Sequence, residues 1–275
     1  MEGQENIVKR YTSENFVLGL ADLKERLLND QDITLLWCFG AGTSNASSTP
    51  GLEFELLQRL WVTLKDVPTQ SKVNKFIFLS SGGKMYGINP GHVNENSKII
   101  PVGAYGFNKW KCEQFILNNF QVFIANILIF RIANAYTIKT KNKAPKGLIE
   151  CCISAIEENR KLTLTSSLQS IRQYASHKDY CGAIIRYLQE CSYSNNALII
   201  NLAPHFQYSI SEVLDVLSGI SKGVDILGKK PYVGRGTDSV ILNSNDEVIQ
   251  MINFSWERLE KNIANYILQT DIMET

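Results

Sequence analysis

A tyrosine and a lysine four residues apart, Tyr105 and Lys109, have the types and spacing best suited to chemistry in this chain. Positions i and i+4 of a helix share one face, so both side chains can point at the same small volume. A tyrosine has a pKa of about 10 and is a poor base at neutral pH. A nearby ammonium favours the phenolate. The pair is therefore suited to moving a proton while a hydride is transferred.

Hydroxyl groups are expected close to this pair. The run Lys75-Phe-Ile-Phe-Leu-Ser-Ser81 predicts a buried strand that ends in Ser80 and Ser81. A hydroxyl at the end of that strand could hold the oxygen of a substrate. A Tyr-x-x-x-Lys spacing also arises by chance on many helices, so its meaning depends on the surrounding sequence.

Further segments occur in a characteristic order along the chain. They are Ser80-Ser81-Gly-Gly-Lys-Met-Tyr86-Gly87, the Tyr105 segment, Arg131-Ile-Ala-Asn134-Ala-Tyr136, Lys146-Gly-Leu-Ile149 and Arg172-Gln-Tyr174-Ala-Ser-His177-Lys-Asp179. Together, over residues 17 to 270, they resemble the NAD-dependent epimerase/dehydratase family. These proteins are extended short-chain dehydrogenases/reductases that act on nucleotide sugars.

The resemblance implies a catalytic role for Tyr105 and Lys109 and a cofactor, NAD or NADP. Tyr105 matches the catalytic tyrosine, and Lys109 matches the lysine that also binds the nicotinamide ribose. The family's hydroxyl position is not a hydroxyl in this chain, and Ser81 is the substitute candidate because Ser80 and Ser81 are the only hydroxyls nearby. Ser80, Tyr105 and Lys109 are expected to bind the cofactor, together with Gly40 and Gly42, which follow a predicted strand. For the two glycines, a simple turn after a buried strand is the alternative.

Two further residues are implied to bind a nucleotide-diphosphate sugar. Asn134 occupies the asparagine position that commonly contacts substrate, and Arg172 the arginine position that usually meets the diphosphate. A guanidinium suits that role because its donors form a bidentate fork. The alternative for Arg172 is a solvated loop arginine.

The chain also departs from the family pattern near the tyrosine. The family hydroxyl lies four residues before the Tyr-Gly pair, where this chain has Gly82. The acidic pair of sugar 4,6-dehydratases is absent, because the sequence there is Gly82-Gly83-Lys84. This argues against a dehydratase or an oxidative decarboxylase. Gln173 and Thr137 replace an aspartate and a glycine, which indicates an altered substrate pocket.

The glycine-rich phosphate loop that opens this family is not found in residues 1 to 40. Counting back from the run Ile33-Thr-Leu-Leu-Trp-Cys-Phe39, the resemblance implies that about fifty residues at the start of the doubly wound sheet are missing. That strand would then lie at an apolar edge. We expect either a misplaced start codon or a truncated gene. A third explanation is that residues 1 to 20 fold back over the edge.

Composition excludes several classes of protein. Net charge is +1 without a basic stripe, which argues against nucleic-acid binding. The longest apolar run, residues 120 to 132, is too short to span a bilayer, and no signal peptide is visible. Six scattered cysteines indicate a reduced, cytosolic protein, and three widely spaced histidines predict no metal site.

Hydrophobic periodicity predicts alternating strands and helices, hence an α/β fold with a Rossmann-like parallel sheet. The predicted helices are 20–29, 52–66, 104–119, 146–158, 177–190, 208–220 and 255–269; the predicted extended segments are 33–39, 75–80, 122–131, 161–165 and 197–203. Residues 1–136 with 177–203 would form an N-terminally incomplete dinucleotide-binding domain. Residues 137–176 with 204–275 would form a smaller, mostly C-terminal substrate-binding region. Residues 137–145, rich in lysine, are either a solvated loop or a lid for an anionic substrate.

Three functions remain open at this point. The first is an NAD(P)-dependent nucleotide-sugar epimerase or reductase that supplies surface-polysaccharide precursors. The second is a non-catalytic relative that keeps the sugar-nucleotide pocket or pairs with an intact homologue, since the family often dimerises through the helix carrying Tyr and Lys. The third is an NADP-linked reductase of other carbonyl compounds. Either a homodimer or a pair with a homologue is expected.

Overall fold

The computed structural model of the chain describes most of the 275 residues. The described residues are 9–12, 14–29, 33–39, 51–68, 73–88, 90–122, 124–138, 145, 147–164, 166–190, 197–219, 239–251 and 254–273. The helices are α1 Phe16–Leu28, α2 Leu52–Lys65, α3 Gly103–Asn119, α4 Leu148–Glu157, α5 His177–Glu190, α6 Ile210–Ser218, α7 Glu247–Met251 and α8 Leu259–Met273. The strands are β1 Thr34–Trp37, β2 Val73–Ser81, β3 Gly91–Val93, β4 Ile124–Ile132, β5 Asn134–Tyr136, β6 Ile171–Arg172, β7 Tyr174–Ser176, β8 Ala197–Leu202, β9 Tyr208–Ser209 and β10 Val240–Leu242.

The main sheet has the strand order β1-β2-β4-β8, and every pair in it is parallel. The register pairs Leu36 with Ile77 and Ile77 with Leu128. Parallel strands need a crossover between them, and helices supply it here. The expected Rossmann-like α/β sheet is therefore confirmed.

Both faces of the sheet are covered, as its continuous apolar strands require. Successive side chains of a strand point to opposite faces. In β2, Phe76 and Phe78 accordingly join the apolar cluster formed with α1, α2 and α3. Ile77 joins a second cluster that includes Tyr187 of α5. This packing fixes α3 on one face of the sheet, next to the carboxyl end of β2.

A third apolar cluster gathers α4, α6 and α8. It includes Ile153 of α4, Val213 of α6 and Leu259 of α8, all buried. Tyr136 at the end of β5 belongs to it and accepts a hydrogen bond from Asn262 Nδ2. This cluster lies within the region predicted to bind substrate, although that division into domains remains a prediction.

The strand β1 lies at the edge of the described sheet, as expected. Among the described ranges, no strand pairs with its outer side, and Leu36 is 57% exposed. The helix α1 packs against one face of this strand, with the rings of Phe16 and Trp37 edge-to-face at 5.8 Å. An edge of this kind leaves backbone groups free to pair with another strand.

Several boundaries differ from the sequence predictions. The first helix begins at Phe16 rather than residue 20, and the predicted helix 208–220 is the short strand β9 followed by α6. Ser209 caps α6 by accepting a hydrogen bond from the Glu212 amide, which explains the late start. In the described part of the predicted extended segment 161–165, Leu162 forms a single β-bridge rather than a strand. Two-residue and three-residue strands such as β6 carry too little periodicity to be predicted.

No helix within the described ranges is long and apolar enough to cross a membrane.

Candidate functional site

A close approach between α3 and the loop after β2 sets the position of Tyr105. The amide of Val102, just before α3, donates to the carbonyl of Lys84 at 2.9 Å. At Gly106, an added Cβ would lie 2.5 Å from that same carbonyl oxygen, so only glycine allows the contact. The first turn of α3 is therefore held against the carboxyl end of β2. Tyr105 is half-buried in that turn.

Lys109, one turn after Tyr105, is buried and fully paired. Its Nζ donates to Glu53 Oε1 at 2.7 Å, to the Leu79 carbonyl at 2.9 Å and to the Phe39 carbonyl at 3.0 Å. An ammonium has three protons, so each has an acceptor. Burial by itself lowers the pKa of Lys109, but the Glu53 carboxylate and the Tyr105 side chain raise it above its usual value. The lysine is therefore a fixed positive charge beside the tyrosine.

Glu53 of α2 is the partner that sequence reasoning missed. It is 2% exposed and also accepts from Trp37 Nε1 at 3.3 Å and from Asn108 Nδ2 at 3.2 Å. A signal was present, because Glu53 shares the spacing of the buried Leu56 and Leu57 on the apolar side of α2. A charged residue on such a face needs a partner.

The two serines at the end of β2 differ in their surroundings. Ser80 is buried, and its Oγ donates to Glu113 Oε1 at 2.5 Å. Its hydroxyl is thus engaged within the protein, and a contact between Ser80 and a cofactor remains a prediction. Ser81 is half-buried at the last position of the strand. The structure leaves Ser81 as the hydroxyl candidate nearest the strand end.

Glu113 belongs to a buried polar network behind this site. Arg131 of β4 donates to both Glu113 oxygens, with Nη2–Oε2 at 2.6 Å, and to Tyr86 Oη at 2.9 Å. Tyr86 in turn donates to Asn201 Oδ1 at 2.7 Å. Burial lowers the pKa of Arg131, but Glu113 outweighs it and raises the pKa above its usual value. The network joins α3 to the carboxyl ends of β2, β4 and β8.

The position expected to carry the family hydroxyl is closed by Leu242. Gly82 is buried, and an added Cβ there would lie 2.1 Å from Leu242 Cδ1. Gln173 holds the Leu242 backbone, since its Oε1 accepts from the Leu242 amide at 2.8 Å and its Nε2 donates to the Leu242 carbonyl at 3.2 Å. Two departures seen in the sequence, Gly82 and Gln173, therefore meet at one leucine.

The predicted substrate residues lie on short strands. Asn134 in β5 donates through Nδ2 to the Gln173 carbonyl at 3.0 Å. Arg172 in β6 is half-buried and donates through Nη1 to the Ile171 carbonyl at 3.1 Å.

Gly40 and Gly42 lie outside the described residues, as do the lysines of the lysine-rich segment. Within the described ranges, no cluster of His, Cys, Asp and Glu could hold a metal ion.

Comparison with known proteins identifies relatives of the chain. A protein from Methanocaldococcus jannaschii assigned as a UDP-glucose 4-epimerase is 22% identical over 200 residues, which cover 71% of this chain and 63% of that protein. The dTDP-4-dehydro-6-deoxyglucose reductase of Escherichia coli is 21% identical over 169 residues, covering 62% of this chain and 52% of the reductase. The chain thus spans less than two thirds of the length of either curated relative.

Solved structures share the fold. The UDP-glucose 4-epimerase of Thermotoga maritima with UDP-glucose superposes with a TM-score of 0.69 at 17% identity, covering 98% of this chain and 88% of that one. A Bacillus cereus UDP-glucuronic acid 4-epimerase in complex with UDP-glucuronic acid and NAD gives a TM-score of 0.65 at 22% identity, covering 90% and 79%. At these identities the likeness establishes the fold alone.

The family itself follows from the sequence profile. The profile described as the NAD dependent epimerase/dehydratase family matches residues 20–203, more than half of the chain. The match includes the strands β1, β2, β4 and β8 and the helix α3 that carries Tyr105 and Lys109. The chain belongs to the NAD-dependent epimerase/dehydratase family.

Proposed function

We propose that the chain is an NAD(P)-dependent nucleotide-sugar epimerase or reductase, with Tyr105 as its proton-transfer residue. One observation carries the proposal: Tyr105 lies one helical turn from a buried ammonium, Lys109, at the carboxyl end of β2. Ligands of open parallel sheets bind outside the carboxyl ends of the strands. This position supports the proposal, because a substrate of such a sheet would bind beside the pair.

The chemical class of the substrate rests on the relatives. The curated relatives are assigned as enzymes that act on UDP-glucose and on a dTDP-deoxysugar. The similar solved structures contain bound UDP-sugars. We infer that this chain also binds a nucleotide-diphosphate sugar, with Arg172 and Asn134 on the substrate side. Such sugars are activated precursors, and we place the reaction in the synthesis of surface polysaccharides in the cytosol.

The polar groups at the strand ends are of the chemical types that can bind a dinucleotide. It offers the Tyr105 phenol, the Lys109 ammonium and the Ser81 hydroxyl. NAD or NADP, when bound, would supply the hydride chemistry. Tyr105 would take a proton from a sugar hydroxyl or return it to the oxygen. Ser81 would orient that oxygen, and Lys109 would stabilise negative charge on the phenol. The fit is incomplete at Lys109, whose three protons already have acceptors.

Titration with reduced cofactor and turnover assays test the proposal. The chain is titrated with NADH and NADPH, and UDP-hexoses are then assayed for epimerisation and reduction. We expect Tyr105→Phe to lose turnover while it still binds the cofactor. Tyr266→Phe on α8, the same chemical change on another helix, should keep turnover. Full turnover by Tyr105→Phe would refute the assignment of Tyr105.

A non-catalytic role is the second candidate, and a different observation favours it. On α3, Phe107 is 56% exposed and Trp110 is 37% exposed, with their rings edge-to-face at 6.3 Å. This apolar pair suits pairing with another copy or with an intact homologue. Sedimentation of the purified chain at several concentrations, with and without Phe107→Ser, tests pairing. A monomer that turns over nucleotide sugar would exclude this role.

A further inference from the structure

The ion pair between Glu53 and Lys109 lies at the centre of the proposed site. Each side chain is 2% exposed, and the 2.7 Å contact joins α2 to α3. Glu53 has further donors in Trp37 Nε1 and Asn108 Nδ2. The other two acceptors of Lys109 are backbone carbonyls, Phe39 just after β1 and Leu79 in β2.

Two of the acceptors of Lys109, the Leu79 carbonyl and the Glu53 carboxylate, differ in how readily each could be exchanged. The Leu79 carbonyl belongs to a strand whose ladder to β4 is intact, so it cannot turn away without loss of sheet pairing. The Glu53 carboxylate is on a side chain that can rotate. It has two other donors, Trp37 Nε1 on the oxygen that also binds Lys109 and Asn108 Nδ2 on the other oxygen. Of these two acceptors, Glu53 is therefore the one that a ligand could displace more readily. A neutral hydroxyl in place of the Glu53 carboxylate would leave the charge of the Lys109 ammonium less well compensated. An uncompensated charge is costly in a buried site.

We propose that Glu53 is a built-in competitor for Lys109, so that a ribose hydroxyl at this strand end can bind the ammonium only after Glu53 has moved away. The inference rests on the proposed function, because it assumes that a dinucleotide binds beside Tyr105. The paired state lowers the apparent affinity, since only the fraction of molecules with Lys109 released is ready to bind. Glu53 is thereby a positioning residue that sets cofactor affinity without touching the sugar.

Calorimetric titration with NADH tests the proposal in the whole chain. We expect Glu53→Gln, which removes the charge and keeps a similar shape, to bind NADH more tightly than the parent by about tenfold, as when only one molecule in ten is competent. The matched control is Glu55→Gln, on the same helix but exposed, which makes the same change in net charge. Its affinity should equal that of the parent.

A double variant shows whether the gain passes through Lys109. Glu53→Gln with Lys109→Met should bind no more tightly than Lys109→Met alone. A gain that persists without Lys109, or appears equally in Glu55→Gln, is a general effect of charge and overturns the proposal. So does equal affinity of the parent and Glu53→Gln.

Two arrangements keep the test decisive. Circular dichroism establishes that each variant is folded. If Glu53→Gln is not, Glu53→Asp replaces it: the carboxylate is one methylene shorter, and a smaller gain in affinity is expected. Unchanged affinity there counts against the proposal. If no variant binds NADH although UDP binding is intact, the proposed cofactor use is refuted together with this inference. Binding by the parent without any gain in the variants refutes the inference alone.

Discussion

Replacing Arg131 by methionine should be among the most destabilising single changes in the chain. Arg131 is 3% exposed and Glu113 is fully buried. The guanidinium donates three contacts to the carboxylate, at 2.6, 3.1 and 3.2 Å, and one to Tyr86. Methionine fills a similar length but donates nothing. The Glu113 carboxylate would keep the Ser80 hydroxyl, at 2.5 Å, as a donor.

The expected cost follows from the uncompensated charge rather than from the lost contacts. Removal of one partner of a buried ion pair costs about 3–5 kcal/mol, against a total domain stability of about 5–15 kcal/mol. Arg131→Met should therefore lie close to the limit of folding. If Glu113→Leu is added, both charges are gone, and the double variant should be more stable than Arg131→Met by about 2 kcal/mol or more.

Urea unfolding followed by tryptophan fluorescence measures these free energies. The dependence of stability on urea should be similar in all variants, because the surface exposed on unfolding barely changes. The control is Arg186→Met, which breaks the Arg186–Glu190 pair, 3.0 Å long with side chains 54% and 49% exposed. An exposed pair contributes about 0–1 kcal/mol. A cost below about 1 kcal/mol for Arg131→Met, or additive costs in the double variant, would refute the reasoning.

Three other changes have defined outcomes. Gly82→Ser should cost about 1–3 kcal/mol by crowding Leu242, and Leu242→Ala should recover part of that loss in urea unfolding. In the native protein at pH 8, a thiolate-specific reagent should leave Cys152 unlabelled, because burial raises the pKa of its thiol to about 12. The exposed Cys181 should react, and mass spectrometry of the labelled peptides distinguishes the two. Burial also raises the pKa of Tyr208 to about 12, so its contribution to stability is full below pH 10 and is lost as the pH rises towards 12. The fall in the urea midpoint over that range should be smaller in Tyr208→Phe, and an equal fall would contradict this.

Local patterns were sufficient to predict the sheet and the helix that carries the candidate site. The apolar run that became β2 and the spacing of Tyr105 and Lys109 depend on neighbours in sequence, and such patterns survive folding. The ion pair of Lys109 with Glu53 was not predicted from the sequence, because it joins residues 56 positions apart. The apolar face of α2 carried a signal that Glu53 is buried, which sequence reasoning did not use, and only the packing of α2 on α3 shows its partner.

The contact between Gln173 and Leu242 shows the same limit more clearly. The sequence placed Gly82 and Gln173 among the departures from the family pattern, each considered by itself. Their connection depends on β10, a three-residue strand whose pairing with β3 has no local signature. A short strand of this kind is selected by tertiary packing rather than by its own propensity.

The pairing of β3 with β10 has a consequence for the order of folding. It joins Gly91–Val93 to Val240–Leu242, and Glu95 adds contacts to Ser244 and Asn245 from about the same sequence distance. Contacts between such distant segments form late, because a long loop must close before they add stability. During synthesis, β2 and α3 leave the ribosome well before β10. Until β10 arrives, the end of β2 beside Tyr105 lacks its leucine cover, so the candidate site is completed only when the last part of the chain has folded.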